Sequence, residues 1–315
     1  MMLFTEQINH WDDWWNTFQS ISAFTPLITH IMQKENLPIA KIENVTPGTN
    51  AVFKVGDYIA KIFAPPELYE DISDGYGTEF NVELFGMKWA NAHGVPSPKL
   101  IADGVVVDKY HFRYMIMEYV RGKELSKIEG DLSYENKVTI GRNMRKITNQ
   151  LNLPCENFTP IDVIEYAINN DEWEDEGFPE SFRAELLTYL KGFHMGQKVY
   201  CHGDLHGDNI LVDENMNVSI VDFADAMYAP VEYEQVYIVS GLFEFQRPYM
   251  EGYFGGDYAV EEILDLCMTW LPIHAWAHSI LAHNIGPATE VTSFAVMRER
   301  LSDLITRGKA GENHP

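Results

Sequence analysis

The side chains best suited to chemistry lie on either side of one predicted β-hairpin, formed by residues 210–212 and 218–221. Asp204 and Asn209 precede the hairpin and are five residues apart, and Asp222 ends it, thirteen residues after Asn209. Because a hairpin returns the chain to its starting end, the spacing predicts that these three side chains converge. One carboxylate can accept the proton of a hydroxyl group, and the amide and second carboxylate oxygens suit Mg²⁺. The stretch therefore predicts a phosphoryl-transfer centre.

The same stretch allows a second chemistry. His202, Asp204 and His206 alternate along the chain. On a β-strand they would share one face and could ligate zinc. Gly203 and Gly207 disfavour a strand at this place. A zinc-dependent hydrolase is therefore the less favoured alternative.

A predicted antiparallel sheet precedes this stretch, after a helical extension of about 37 residues whose helix is predicted to start at Thr25-Pro26. The turn Pro47-Gly-Thr-Asn50 follows the first strand, and its backbone N–H groups can lie over phosphates. The predicted strands are 42–46, 51–55, 58–63, 99–102, 104–107 and 112–118.

Lys61 is the informative residue of this sheet. Its neighbours on the same strand face, Ile59 and Phe63, are large and apolar, so the lysine is predicted to point inward. A buried lysine needs a partner. Glu83, beside the apolar stripe of a predicted helix at 79–93, is the first candidate, and Glu79 is the second.

Beyond a glycine turn at Gly122, the pattern changes to helices. They are predicted at 134–151, 160–169, 181–193, 230–245, 259–283 and 290–305. His274 and His278 fall one helical turn apart within the helix at 259–283. Without the intervening glutamate of the zinc-protease motif, they are better interpreted as histidines of an amphipathic face.

The formal charge of −24, from 23 basic and 47 acidic side chains, argues against nucleic acid and anionic membranes as partners. It is compatible with a cationic substrate, which the acidic run 171–176, Glu232 and Glu234 are candidates to bind. Tyr233, Trp270 and Trp276 are candidates for a pocket wall. The three cysteines form no disulfide or metal pattern, and with no leader-like N-terminus or membrane span we expect a cytoplasmic protein.

From about Thr46 onward the chain resembles the aminoglycoside phosphotransferase and choline kinase family, on the strength of its His-Gly-Asp-x-x-x-x-Asn motif followed by Asp-Phe. The resemblance implies an α+β, protein-kinase-like bilobal fold, with an antiparallel-sheet N-lobe and a mainly helical C-lobe. It implies an N-lobe with its helical extension at 1–117, a hinge at 118–123 and a C-lobe at 124–315.

The resemblance also implies a reaction and a role for each site residue. The reaction is transfer of a phosphoryl group from ATP, with Mg²⁺, to a hydroxyl of a small molecule, for example an aminoglycoside or another amino-alcohol or sugar. The implied residues are Asp204 as catalytic base, Asn209 and Asp222 as magnesium ligands, Lys61 with Glu83 for the α- and β-phosphates, and the backbone of Glu118 and Val120 for adenine.

Some features depart from this pattern or stay open. Gly203 stands where regulated protein kinases carry arginine, and no Ala-Pro-Glu follows Asp222, which argues against a regulated protein kinase. Asp208 has no role that the sequence assigns. A nucleotide-binding scaffold without transferase activity is the non-enzyme alternative. The substrate, the preference for ATP or GTP, and the choice between monomer and homodimer are left open.

Overall fold

The computed structural model describes residues 2–46, 48–68 and 78–311, and the side chain of Thr78 is not described. Pro47 of the predicted turn therefore lies outside the described residues. The chain forms two compact units. Unit 1 comprises Met1–Ala92 and Ser97–Arg121, and unit 2 comprises His93–Pro96 and Gly122–Pro315. The fold is α+β, as predicted, with an antiparallel sheet in the N-terminal part and mostly helices in the C-terminal part.

The strands are short and all of their pairings are antiparallel among the described residues. They are β1 (Ile42–Asn44), β2 (Ala51–Val55), β3 (Tyr58–Ile62), β4 (Leu100–Val107), β5 (His111–Glu118), β6 (Lys123–Glu124), β7 (Val199–Cys201), β8 (Ile210–Val212), β9 (Val218–Ile220) and β10 (Met227–Ala229).

The α-helices are concentrated in unit 2. They are α1 (Trp11–Thr17), α2 (Ile21–Lys34), α3 (Thr78–Ala92), α4 (Leu125–Ile128), α5 (Tyr134–Leu151), α6 (Val163–Ile168), α7 (Glu172–Asp175), α8 (Glu180–Gly192), α9 (Val231–Tyr237), α10 (Arg247–Phe254), α11 (Val260–Trp270), α12 (Ala277–Asn284) and α13 (Phe294–Ala310).

The sheet of unit 1 has the strand order β1-β2-β3-β5-β4. One face of it forms a core with the N-terminal extension, in which Phe24 packs against Phe53 and Phe112. Trp14 of α1 is fully buried, and its indole N–H donates to the carbonyl of Thr49 over 3.0 Å. The extension is therefore part of the core of unit 1, and it is tied to the turn that follows β1.

The predicted start of the first long helix is wrong. Helix α2 begins at Ile21 instead of Thr25, because the Ser20 hydroxyl caps it by accepting the backbone N–H of Ala23 at 3.3 Å. Pro26 is then an interior residue of the helix. It removes one backbone hydrogen bond there without ending the helix.

Unit 2 contains two small sheets, in which β7 pairs with β10 and β8 lies between β6 and β9. Its helices α5 and α10 pack in close backbone contact at Gly141 and Gly252. A Cβ atom at Gly141 would lie 2.3 Å from the carbonyl oxygen of Tyr249, and one at Gly252 would lie 2.2 Å from that of Val138. Strands β7 and β8 flank the loop that carries Asp204, and β8 and β9 form the hairpin that follows it.

The single helix predicted at 259–283 is also wrong. The chain leaves α11 at Trp270, makes a 3₁₀ turn at Leu271–Ile273 and begins α12 only at Ala277. Pro272, which has no N–H to continue an α-helix, lies in this interruption. His274 therefore lies in the connection and His278 in α12, so the two do not share a helical face.

Among the described residues, no helix combines the length and apolar character that a membrane crossing requires.

Candidate active site

The loop between β7 and β8 carries Asp204 and begins at a glycine that no other residue can replace without strain. Gly203 has φ +83°, and a Cβ atom there would lie 2.1 Å from the backbone oxygen of Asp225. This explains in physical terms why glycine precedes Asp204: the backbone is left-handed and the neighbouring chain leaves no room for a side chain.

Asp204 is held by hydrogen bonds to both carboxylate oxygens. The hydroxyl of Tyr237 donates to Oδ1 at 3.0 Å, and the amide of Asn209 donates to Oδ2 at 3.1 Å. Nε2 of His206 lies 3.3 Å from Oδ2. The side chain is therefore fixed in one orientation, while it still lines a cavity of about 420 Å³.

These contacts decide the ionisation of Asp204. Burial alone would raise the pKa of its carboxyl, but the hydrogen bond and positive charge of His206, together with the Tyr237 hydroxyl, hold that pKa below its ordinary value. The bond to Asp204 in turn raises the pKa of His206, against the effect of burial. Asp204 is consequently an ionised carboxylate at neutral pH and can accept a proton.

Asn209 and Asp222 lie at the same end of the β8–β9 hairpin. Their closeness follows from pairing of Ile210 with Ile220 and from the bond that Val221 N–H donates to the Asn209 carbonyl at 3.0 Å. Asp222 has an unusual backbone, with φ +63°. Asn209 uses its amide N–H groups on Asp204, which leaves its side-chain oxygen for a cation. An amide oxygen and a carboxylate fit the donor set that Mg²⁺ prefers.

Glu234 of α9 supports this loop from inside the protein. It is 1% exposed, and its two carboxylate oxygens accept the backbone N–H groups of His202 at 3.1 Å and Gly203 at 3.0 Å. Burial raises the pKa of Glu234 to about 7, although both N–H groups oppose that rise. The hypothesis that Glu234 binds a substrate amine is therefore wrong, because the side chain is enclosed and engaged by the backbone.

Asp208, to which the sequence assigns no role, connects the loop to helix α4. Its carboxylate accepts the Ser126 hydroxyl, and its backbone N–H donates to Nδ1 of His206 at 3.3 Å. Gly207 lies against the same serine: a Cβ atom there would be 3.0 Å from the Ser126 nitrogen. Asp208 therefore helps to fix the segment between Asp204 and Asn209.

The arrangement does not support a zinc site. His202 is fully buried, with its ring against Phe223 and its Nε2 atom 3.0 Å from the Val221 carbonyl. Burial also lowers the pKa of its imidazole. In residues 2–46, 48–68 and 78–311, no three His, Cys, Asp or Glu side chains are grouped so that they can hold a metal ion.

In unit 1, Lys61 is paired with Glu83, the first of its two predicted partners. The ammonium lies 2.7 Å and 2.8 Å from the two carboxylate oxygens, and the residues are 6% and 1% exposed. Glu79 instead accepts a hydrogen bond from the side-chain amide of Asn50 at 2.5 Å. The side-chain oxygen of Asn50 accepts the backbone N–H of Ala64 at 3.1 Å. The inward direction predicted for Lys61 is observed.

Glu118 is the last residue of β5, and Val120 follows two positions later. The N–H of Glu118 donates to the carbonyl of Lys99, and the N–H of Tyr119 to the carbonyl of Asp57, both at 2.9 Å. The strand end is therefore anchored to the rest of unit 1 immediately before the boundary at Arg121.

Unit 2 contains two cavities lined by residues that the sequence marks as candidates. The cavity of about 420 Å³ is lined by Asp204, Tyr237, Glu244 and Trp276, among others. A second cavity, of about 470 Å³, is strongly acidic, and we call it the acidic cavity. Its acidic lining residues are Asp162, Glu165, Asp171 and Glu172.

The predicted acidic run 171–176 has mixed surroundings. Trp173 is buried, Glu174 pairs with Arg183, and Nε2 of His278 lies 2.5 Å from Glu172. Asp171 and Glu172 nevertheless line the acidic cavity. Part of the run is therefore folded and internally paired, and Asp171 and Glu172 are the members that remain candidates to bind a cation.

Two residues of this site escaped prediction. Tyr237 is 33 positions from its partner Asp204, and no motif marks it. His274 packs between Tyr233 and Tyr237 with ring centroids 4.3 Å and 4.7 Å apart, although its spacing indicated an amphipathic helix face. Of the predicted pocket aromatics, Trp276 lines the cavity at Asp204. Trp270 packs instead on Phe193.

Comparison with known proteins gives one family. The profile of the phosphotransferase enzyme family (APH) matches residues 45–265, which is more than half of the chain. No curated protein sequence shows significant similarity to this chain.

Several solved structures share the fold. The GDP and kanamycin complex of APH(2″)-IIIa has a TM-score of 0.57 and 18% identity, covering 90% of this chain and 95% of that one. The streptomycin–ATP complex of APH(2″)-IIa has a TM-score of 0.55 and 14% identity, covering 86% and 97%. The aminoglycoside phosphotransferase APH(4)-Ia has a TM-score of 0.53 and 14% identity, covering 90% and 99%.

Proposed function

The chain belongs to the phosphotransferase enzyme family, and we propose that it is an ATP-dependent O-phosphotransferase that acts on a hydroxyl of a small cationic molecule. The observation that carries this proposal is the Asp204 carboxylate. It is ionised, fixed by donors on both oxygens, and open to a cavity of about 420 Å³. A fixed base beside a cavity of that size suits a small acceptor alcohol.

In the proposed reaction, the acceptor binds in this cavity with its hydroxyl at Asp204. Asp204 accepts the hydroxyl proton while the acceptor oxygen forms a bond to the γ-phosphorus and the bond from that phosphorus to the ADP oxygen breaks. Tyr237 and Asn209 keep the carboxylate oriented throughout. Because this reaction needs positioning and charge stabilisation more than covalent help, the rigidity of Asp204 supports it.

The remaining site residues are assigned to the nucleotide. We assign Lys61, oriented by Glu83, to the α- and β-phosphates, and the backbone of Glu118 and Val120 to the adenine base. Asn209 and Asp222 would hold Mg²⁺, which supplies charge neutralisation of the phosphates when bound.

The acidic cavity supports the cationic nature of the acceptor. Four acids line it, and among its described lining residues none is basic. One hydrogen bond links the linings of the two cavities: the side-chain amide of Asn170, in the acidic cavity, donates to the carbonyl of Ala275 at 3.3 Å, and Ala275 immediately precedes Trp276 of the first cavity. An elongated amino-sugar or amino-alcohol would place its hydroxyl at Asp204 and its ammonium groups among the acids. Two of the similar structures are complexes with kanamycin and with streptomycin.

The decisive experiment measures ADP release from Mg-ATP with aminoglycosides, choline-type amines, neutral sugars and nucleosides, followed by mass analysis of the acceptor. We expect a phosphorylated amino-alcohol or amino-sugar. Activity with neutral acceptors only would overturn the cationic part of the proposal. Tight ATP binding with no transfer to any acceptor would instead favour the inactive scaffold.

Variants then test the assigned roles. Asp204→Ala should bind Mg-ATP normally and lose transfer, whereas Asp257→Asn, at an exposed carboxylate of unit 2, should change neither. Wild-type transfer by Asp204→Ala to a proven acceptor would disprove the assignment of the base. Glu165→Gln should raise KM for cationic acceptors at unchanged kcat.

A further inference from the structure

A stack of three aromatic rings adjoins Asp204. The His274 ring lies between Tyr233, with centroids 4.3 Å apart and planes at 25°, and Tyr237, with centroids 4.7 Å apart and planes at 10°. The hydroxyl group of Tyr237 donates a hydrogen bond to Oδ1 of Asp204 at 3.0 Å. The orientation of the candidate base therefore depends on a tyrosine whose ring packs flat against His274.

Histidine is not the residue that packing alone would favour at position 274. Its side chain is 2% exposed, and burial lowers the pKa of the imidazole to about 3, so the ring is neutral. Nδ1 accepts the backbone N–H of Trp276 at 3.2 Å, which assigns the ring proton to Nε2. That N–H has no hydrogen-bond partner among the residues that the structure describes. An unpaired buried donor destabilises the folded state, so its presence calls for another explanation.

The two contacts of the His274 ring reach two walls of one cavity. One ring face supports Tyr237, and Nδ1 fixes the backbone of Trp276; both of these residues line the cavity that contains Asp204. We propose that His274 is a positioning residue, which sets the orientation of Asp204 through Tyr237 and the place of the Trp276 wall that contacts the acceptor. This inference rests on the proposed function, because it assigns the walls to an acceptor alcohol.

Substitutions can separate the two contacts. His274→Phe keeps the ring stack and loses the acceptor for Trp276 N–H. His274→Asn keeps a side-chain acceptor and loses the stack. His274→Leu loses both but introduces no polar group, so it serves where the asparagine variant fails to fold. Tyr237→Phe keeps the stack and removes only the hydroxyl that holds Asp204.

We expect His274→Asn, His274→Leu and Tyr237→Phe each to lower kcat by about tenfold or more, the size of effect that one hydrogen bond to a charged group produces, with KM for ATP unchanged. His274→Phe should keep kcat within about threefold of wild type and raise KM for the acceptor. Equal kcat in wild type and His274→Leu would overturn the proposal. Tyr253→Phe is the matched control, since it removes a buried hydroxyl that bonds Thr148 at 3.0 Å.

A double variant tests whether His274 acts through Tyr237. Combining His274→Leu with Tyr237→Phe should lower kcat no further than the more severe single change, because both remove the same support. If the double variant lowered kcat by the product of the two single effects, His274 and Tyr237 would act independently. A purely structural role of His274 would instead appear as independent losses in the free energy of unfolding.

Crystal structures of wild type and His274→Leu provide a readout that does not depend on activity. We expect the distance from Tyr237 Oη to Asp204 Oδ1 to exceed hydrogen-bonding range in the variant. Retention of the wild-type distance, 3.0 Å, would overturn the positioning role. Failure of the wild-type protein to phosphorylate any acceptor would refute the proposed function, and this distance would still decide the role of His274.

Discussion

Glu234 holds Gly203 from the interior of unit 2: its Oε2 atom accepts the backbone N–H of Gly203 at 3.0 Å. The other carboxylate oxygen accepts the N–H of His202 at 3.1 Å. Gly203 immediately precedes Asp204, so a residue of helix α9 determines where the candidate catalytic loop begins. This contact is made to the backbone, so it does not depend on the side chains at positions 202 and 203.

Replacement of Glu234 by glutamine should weaken this support. A glutamine amide has one acceptor oxygen, so one of the two backbone N–H groups would face an NH₂ group. At pH 5, where the raised pKa keeps Glu234 as neutral as glutamine, we expect the free energy of unfolding to fall by about 1–3 kcal/mol, the cost of a buried unpaired group, and kcat to fall with it. Urea denaturation and transfer assays measure both quantities. Glu232→Gln, on the same helix but partly exposed, is the control for stability. Equal stability of wild type and Glu234→Gln would show that the contact is unimportant.

The burial of Glu234 against the backbone of Gly203 also predicts that the stability of the protein depends on pH. Burial raises the pKa of Glu234 to about 7 in the folded protein, from 4.5 for the free group. The folded state thus binds this proton more tightly than the unfolded state. The resulting stabilisation is complete below about pH 4.5 and is lost as the pH rises through about 7, with a total of roughly 3 kcal/mol. Unfolding free energies of wild type and Glu234→Gln, measured from pH 4.5 to 8, should therefore show a steeper decline for wild type. Parallel curves would contradict the raised pKa.

Gly203 should tolerate no side chain. Alanine would be strained at φ +83°, and its Cβ atom would lie 2.1 Å from the backbone oxygen of Asp225, which cannot move as a flexible side chain does. We expect Gly203→Ala to lower the free energy of unfolding by about 3 kcal/mol or more and to abolish transfer. Gly196→Ala is the matched control, because a Cβ atom there meets no atom within 4 Å. A Gly203→Ala protein with wild-type stability would show that the loop has another conformation.

The parts of the site that sequence patterns predicted are those set by local geometry. Asn209 and Asp222 flank the open end of one hairpin, whose turn and alternation are visible in the chain, and Asp204 lies in the loop that leads into it. Strand alternation and a helix stripe likewise gave the direction of Lys61 and its pairing with Glu83. In each case the residues that come together follow from the two-residue alternation of side chains along a strand or from the spacing of one helical turn.

The parts that were missed or misjudged depend on packing between distant segments. Tyr237 and Glu234 reach the candidate catalytic loop only because helix α9 packs against it, so no local pattern distinguishes Glu234 from an acid that binds a substrate amine. Apolar periodicity continued through Pro272, so the break that places His274 beside Tyr237 was not visible. Hydrophobic spacing reports that a segment is buried; it does not report which segment covers it.

The Lys61–Glu83 pair predicts a large effect on both stability and nucleotide binding. Glu83→Gln would remove the negative charge that lies 2.7 Å from an ammonium that is 6% exposed. We expect a loss of about 3–5 kcal/mol in the free energy of unfolding and a higher KM for ATP, since Lys61 is no longer held in one orientation. The pair Lys88–Asp103, whose side chains are 58% and 35% exposed, is the control. Asp103→Asn should cost less than about 1 kcal/mol. A Glu83→Gln protein with unchanged stability and unchanged KM would contradict both roles.

The N-terminal extension should influence nucleotide binding, although it precedes the part of the chain that matches the family at 45–265. Trp14 is fully buried, and its indole N–H donates to the carbonyl of Thr49, within the turn whose backbone N–H groups are identified from the sequence as able to lie over phosphates. Trp14→Phe keeps the apolar ring and removes only this donor. Loss of one such bond costs about 1 kcal/mol and frees the turn, so we expect KM for ATP to rise by roughly fivefold with kcat and KM for the acceptor unchanged. Trp15→Phe, at a neighbouring tryptophan that is 43% exposed, should leave all three constants unchanged. If Trp14→Phe raised KM for the acceptor instead, the extension would act on another part of the site.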